Sequence, residues 1–246
     1  MDADAYLASL TADADALAAA AAGNLGRAVP TCAGWTVADL VAHTGRVHRR
    51  LRTVLATGGP PDRSRTWDVP EGEEALLAWF REGAHELVAD LASRDPGDWA
   101  WTAFPVGSPT VGWWRRRQAL ELAVHLFDTR VATGEQPAPL PAALAMDGID
   151  ELLVDLLPPV LARKPVGGLT GTLHLHATDT PGEWFVDFGA GAGPVVRAEH
   201  AKADTALRGP ASGLYLWLWN RQEPAAARLE VFGSTEIVSA WRDVSI

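Results

Sequence analysis

The hydrophobic pattern of this sequence changes partway along, and that change restricts the chain to two differently built parts. Up to Thr133 the apolar residues recur three and four positions apart, the signature of helices with one buried stripe; at Thr172 to Thr178 they alternate, the signature of a strand, and from there strands and helices are mixed. A chain of 246 residues is long for one core, and nearly half of its residues are apolar, enough to fill two. The Pro-rich stretch Gly134 to Pro141 is the natural break. The expected fold class is therefore α+β, with a helical domain over residues 1–137 and a smaller α/β domain over residues 138–246.

Four helices are predicted in the first part. Asp4 to Ala22 places Leu7, Leu10 and Leu17 on one face and stops at Gly23. Thr36 opens the second, with Asp39 three positions later as a capping box; it runs to about Ala56 and buries Leu40, Val47, Leu51 and Val54, with His43 at the edge of that face. Glu73 to Ala92 turns Leu76, Phe80, Leu87 and Leu91 inward, and Trp113 to Thr133 is the fourth. In the second part a helix from Ala142 to Leu157 is expected to end at Pro158-Pro159. Strands are expected at Thr172–Thr178, Glu183–Phe188, Pro194–Glu199, Asp204–Leu207 and Arg228–Phe232. An apolar helix is expected over Pro210–Asn220, and Ser234 caps a closing helix.

The fourth helix carries the chemistry. Glu121 and His125 stand four apart, so one turn brings them to the same face, and His125 and Asp128 both fall within roughly 40° of Glu121. The stripe borders the buried Leu120, Val124 and Phe127. A carboxylate and an imidazole half-buried together need a shared partner, which a divalent metal supplies. A third ligand is available at His43 on the second helix, since helical bundles assemble metal sites from facing helices. Asp128 is either a partner that orients His125 or an end-of-helix carboxylate. Cys32 is the single cysteine, so neither an intrachain disulfide nor a thiolate-rich metal site can form, and it is read as a packed loop residue.

A formal net charge of −10 argues against nucleic-acid or anionic-membrane partners. The first helix lacks a basic leader and a long apolar run, so a cytoplasmic protein without membrane spans is expected.

Three stretches together resemble a known family. The run Cys32-Ala33-Gly34-Trp35-Thr36-Val37-Ala38-Asp39-Leu40-Val41-Ala42-His43 comes first, then Glu121-Leu122-Ala123-Val124-His125 with Asp128. Arg208-Gly209-Pro210-Ala211 follows, with Leu216-Trp217-Leu218-Trp219-Asn220-Arg221. In this order they resemble the mycothiol-dependent maleylpyruvate isomerase family, and the likeness covers nearly the whole chain. It implies an N-terminal DinB-like four-helix bundle followed by a sterol-carrier-protein-like α/β domain. It also implies that His43, Glu121 and His125 hold zinc or another divalent metal, and that Arg221 is a catalytic arginine. The sequence departs from the family's usual pattern at Ala33, where Pro is common, and at Asn220, where Gly is common.

With three protein ligands, a tetrahedral ion keeps one position for water or a thiol, and a coordinated thiol loses its proton at neutral pH. The resemblance thus implies mycothiol as the low-molecular-weight thiol and a small-molecule electrophile as substrate. Addition of thiolate to a cis-dicarboxylate, bond rotation and expulsion would give a maleylpyruvate-type isomerase, with Arg221 pairing a substrate carboxylate. Addition without expulsion would give an S-transferase. Two other classes stay open: a non-catalytic binding protein with a structural metal, and a thiol-independent metal hydrolase. Oligomeric state is not read from the sequence.

Other polar groups have plainer readings. His174 and His176 share a strand face, either as metal ligands or as solvated imidazoles, and His48 and His85 are expected at the surface. Arg46, Arg49, Arg50 and Arg52 form either an anion-attracting patch or a solvated helix face. Arg115-Arg116-Arg117 sits near a helix N-terminus, where positive charge is disfavoured, and calls for an acidic segment or an anionic ligand. Trp113 and Trp114 are candidate walls of a pocket.

Overall fold

A computed structural model describes residues 1–62, 66–107, 109–189 and 193–245. The chain forms two compact units, Met1–Ala138 and Pro139–Ile246. The first unit is a four-helix bundle of α1 (Ala3–Ala21), α2 (Val37–Thr57), α3 (Glu73–Ala92) and α4 (Val111–Thr133). Helix α1 packs on α4 and α3, and α2 packs chiefly on α3. Leu10, Ala14, Leu17 and Ala21 of α1 are fully buried on one face. Each such leucine contributes roughly 1.5–3 kcal/mol relative to exposure. The predicted capping box is present: the Thr36 hydroxyl accepts from Asp39 N at 3.3 Å, and Asp39 Oδ2 accepts from Thr36 N at 2.9 Å.

Helix α4 is buried on most of its circumference, including polar residues Arg115, Arg117, Gln118, Asp128 and Thr129. Within the bundle it packs chiefly on α1, and its buried polar groups need partners. Arg115 shows how this is met. Its Nη2 donates to Leu91 O at 2.9 Å and Arg94 O at 3.0 Å, and its Nη1 to Asp4 Oδ1 at 3.2 Å. One guanidinium thus saturates carbonyls at the C-terminal end of α3 and meets the acidic start of α1. Partner carbonyls and a carboxylate offset the unfavourable placement at a helix N-terminus.

Two expectations for α2 change. His48 is buried and Val47 only partly so. The reason lies in the α2–α3 contact, where Trp79 lies against Gly45 and Arg49 against Gly83, so closely that a Cβ on either glycine would come within 2.2 Å of the facing side chain. In the arginine group, Arg49 stacks over Trp79 at 3.8 Å and Arg52 Nε donates to Asp90 Oδ2 at 2.7 Å. These two serve helix packing rather than an anion.

The second unit opens with α5 (Ala142–Asp150), a π-helical turn (Glu151–Leu156) and α6 (Leu157–Arg163). Pro158 and Pro159 do not end the helix as expected. They occupy the first turn of α6, just after the π turn, where their missing N–H groups are not needed. Five strands follow: β1 (Thr172–Ala177), β2 (Glu183–Asp187), β3 (Val195–Arg197), β4 (Thr205–Gly209) and β5 (Glu230–Gly233), ordered β3-β2-β1-β4-β5. β1 and β4 run parallel; the other pairs are antiparallel.

Helix α7 (Ala211–Leu218) lies between β4 and β5 in sequence and is buried throughout, and α8 (Glu236–Trp241) closes the unit. Leu173, Leu175, Trp184, Val186 and Leu207 are buried, and Trp184 Nε1 donates to Asp150 Oδ1 of α5 at 2.7 Å. His174, on the alternate face of β1, is buried as well, against the reading of a solvated imidazole. The assigned cap of α8 is Thr235; the Ser234 hydroxyl still accepts from Glu236 N at 3.2 Å. Among the described residues no helix is long and apolar enough to cross a membrane.

Candidate metal centre

Helices α2 and α4 bring His43, Glu121 and His125 together: one ligating atom of each lies within 4.8 Å of the others. His43 Nε2 is 3.9 Å from Glu121 Oε1, and the His43 and His125 rings meet edge-on with centroids 5.5 Å apart. His43 is the most exposed of the three, with 40% of its side chain accessible against 15% for Glu121, so the group is open on the α2 side.

Each member is held by neighbours. The capped start of α2 and the turn before it supply Trp35, whose ring lies 4.8 Å from that of His43. Glu121 Oε2 accepts from Gln118 Nε2 at 3.3 Å and Arg117 Nη2 at 3.5 Å, leaving Oε1 toward His43. His125 Nδ1 is 3.1 Å from Asp128 Oδ2. Asp128 is fully buried; its Oδ1 accepts from the Thr31 hydroxyl at 2.6 Å, and its Oδ2 takes the Cys32 thiol at 3.6 Å. The Thr31–Trp35 turn is therefore tied to α4 through Asp128. That arrangement places the Nδ1 proton of His125 on a carboxylate and leaves Nε2 with its lone pair.

Electrostatics favours ligating states. Burial, then the facing His125, push His43 below the ordinary histidine range, against the pull of Glu121, so the ring is neutral near pH 7. Burial alone would raise Glu121, but the Arg117 charge, aided by His125, His43 and His48, outweighs it and holds the carboxyl below its ordinary value. His48 is driven down to about 4 by burial, and its ring packs 5.6 Å from Phe80.

Two imidazoles and a carboxylate, with one imidazole braced by a buried aspartate, form a donor set that fits zinc or a similar divalent ion. His125 also falls with Cys32 and Asp128 in an overlapping group within the same limit. The Asp128 oxygens there are already engaged by Thr31 and His125, which suits a hydrogen-bond acceptor better than a ligand.

Sequence reasoning missed Gln118 and Arg117 as supports of Glu121; the i−3 and i−4 spacing was the available signal. Trp113 packs on Phe104, with centroids 5.6 Å apart, and Trp114 Nε1 donates to Trp101 O at 3.0 Å. The groove nearby in sequence is lined by Arg50, Pro60, Trp67 and Trp101 rather than by that pair.

Arg221 belongs to the second unit, three residues beyond α7. Its backbone N–H donates to Leu216 O at 2.8 Å and its Nη1 to Trp219 O at 2.8 Å, so the side chain folds back on the end of the helix. Asn220 before it has φ +55°, the left-handed region.

Residues 7–130 match the mycothiol maleylpyruvate isomerase N-terminal domain, and residues 143–239 match the MDMPI C-terminal domain. A crystal structure of the mycothiol-dependent maleylpyruvate isomerase is similar over 90% of this chain and 90% of its own, with TM-score 0.57 and 14% identity. A histidine-to-alanine mutant of that isomerase is similar over 88% of each chain, with TM-score 0.54 and 14% identity. At such identity the likeness is one of fold. No curated protein matches the sequence.

Proposed function

The chain belongs to the mycothiol maleylpyruvate isomerase family, and from that premise we propose that it is a metal-dependent, mycothiol-using enzyme acting on a small electrophile. In this reading residues 1–137 form the metal-binding domain and residues 138–246 the second domain. His43, Glu121 and His125 hold zinc or another divalent ion. The observation that carries the reading is their convergence from two helices, with Asp128 braced on the far nitrogen of His125.

A divalent ion held there lowers the proton affinity of a bound thiol, so that mycothiol is available as thiolate near neutral pH. The chain's own residues prepare the place. Asp128 fixes the His125 tautomer, and Arg117 and Gln118 keep Glu121 ionised and oriented. Open access on the His43 side leaves room for a ligand of some size. Arg221 is assigned to pair a substrate carboxylate, a task suited to a forked and permanently charged donor. Addition to a conjugated double bond, rotation and expulsion give cis-trans isomerisation of the maleylpyruvate type; addition that is retained gives S-transfer.

The test is metal analysis of the purified protein and of its His125→Ala variant, followed by calorimetric titration of each with mycothiol. Loss of one equivalent of metal in the variant, together with thiol binding, is the expected result, and turnover of maleylpyruvate then separates isomerase from transferase. Metal without thiol affinity would replace this reading by a hydrolase or a binding protein. Full metal occupancy in the variant would sink the site assignment.

A further inference from the structure

We propose that the C-terminal sheet carries a second divalent transition-metal site, formed by His174, Glu183 and His200, with His176 orienting the carboxylate. It lies in a different unit from the His43 group and shares no residue with it.

The placement follows from strand geometry. His174 and His176 are two apart on β1 and so project from the same face. β2 runs antiparallel to β1 with Glu183 directly opposite His176 and Phe185 opposite His174, which sets the Glu183 carboxylate between the two rings. The segment between β3 and β4 adds His200, whose Nδ1 is 3.0 Å from Glu183 Oε1. His174 Nε2 bonds Glu183 Oε2, and His176 Nδ1 bonds Oε1. The His174 and His200 rings meet edge-on with centroids 5.0 Å apart. One ligating atom from each of His174, Glu183 and His200 lies within 4.8 Å of the others.

Ligand atoms on a tetrahedral zinc stand about 3.3 Å apart, given bonds of about 2.0–2.1 Å. His174 and His200 already hydrogen-bond Glu183 inside that spacing, so a bound ion would part these contacts, and the adjustment falls to His200, whose side chain is 76% exposed and sits outside a strand, while His174 and Glu183 are fixed by paired strands. The number of imidazoles also argues for an ion. Glu183 keeps 26% of its side chain open to water, yet three rings converge on it. Three aromatic nitrogen donors turned toward one carboxylate form a donor set for zinc, cobalt, nickel or copper, and a poor one for calcium or magnesium. An ion there ties the β3–β4 connection to the β1–β2 hairpin.

The experiment is a zinc titration of the tag-free, chelator-stripped full chain against a chromophoric competitor, with His200→Ala, Glu183→Gln and His43→Ala run in parallel. His200 is too exposed for its loss to threaten folding. The expected result is a zinc equivalent that His43→Ala retains and that weakens by at least about tenfold in both His200→Ala and Glu183→Gln. Unchanged zinc number and affinity in those two variants would overturn the proposal, as would a parent protein whose entire zinc content disappears with His43→Ala. If His43→Ala binds zinc exactly like the parent while His200→Ala loses it, this site stands and the bundle assignment falls.

Discussion

Asp128 Oδ2 sits 3.1 Å from His125 Nδ1, one turn further along α4, and the carboxylate is wholly buried. A hydrogen bond of this kind fixes which ring nitrogen is left for a metal and raises its basicity. Asp128→Asn is nearly isosteric but can present an N–H to the ring, which opposes the required tautomer. Metal affinity is expected to fall about 10- to 100-fold, measured by competition with a chelator, while the circular dichroism spectrum stays as in the parent. Unchanged affinity would mean that Asp128 serves only the Thr31 turn.

Two titratable groups of the bundle, the part-buried Asp13 and the buried His48, act in opposite directions over one pH range. Asp13 is raised from 3.8 to about 6, chiefly by burial, against a hydrogen bond from Ser9 and the charge of Arg130. The folded chain keeps that proton where the unfolded chain has lost it, so its contribution to stability falls as pH rises from about 4 to about 6. His48 is lowered from 6.5 to about 4 by burial. The unfolded chain takes up that proton first, so its contribution falls as pH drops from about 6.5 to about 4. Each effect is worth about 3 kcal/mol at full extent, and they nearly cancel. Urea unfolding should therefore show Asp13→Asn losing stability steeply on acidification and His48→Leu gaining it, each relative to a flatter parent. Parental slopes in both variants would refute this.

Arg115 joins three helices through one guanidinium whose side chain is only 4% exposed. Arg115→Met keeps volume but leaves the carbonyls of Leu91 and Arg94 without that donor, and a cost of about 3 kcal/mol is expected in denaturant unfolding. Arg115→Lys should recover only part of it, because an ammonium lacks the planar fork that reaches both carbonyls and Asp4. Full recovery with lysine would show that charge alone matters.

Much of the architecture was legible because the signals were local. Apolar spacing located the four helices, the Thr36–Asp39 pair located the start of α2, and a four-residue interval put Glu121 beside His125. What was missed depended on packing between elements. Hydropathy prefers Val47 inside and so turns His48 to the surface; the close approach of α3 at Gly45 and Gly83 accompanies a buried face turned toward His48. Alternation along β1 leaves His174 open as a metal ligand or a solvated imidazole, because it does not say what covers the second face. That cover comes from Glu183 and His200, both distant in sequence from the β1 pattern. Pro158 and Pro159 were read as a stop because a π turn leaves no periodic trace.

Asn220 has a φ of +55°, in the left-handed region. Only glycine, and less readily asparagine, enters the left-handed region at low cost. Asparagine adds something glycine lacks: its Nδ2 donates to Val244 O at 2.9 Å and Trp241 O at 3.2 Å, tying the end of α7 to the end of the chain. The two substitutions should therefore rank. Asn220→Gly loses the bonds but relaxes the backbone, for a cost of about 1 kcal/mol; Asn220→Ala loses the bonds and keeps the strain, for about 2–3 kcal/mol. Thermal unfolding followed by calorimetry checks the order, and an alanine variant as stable as the glycine one would show that the left-handed turn carries no strain.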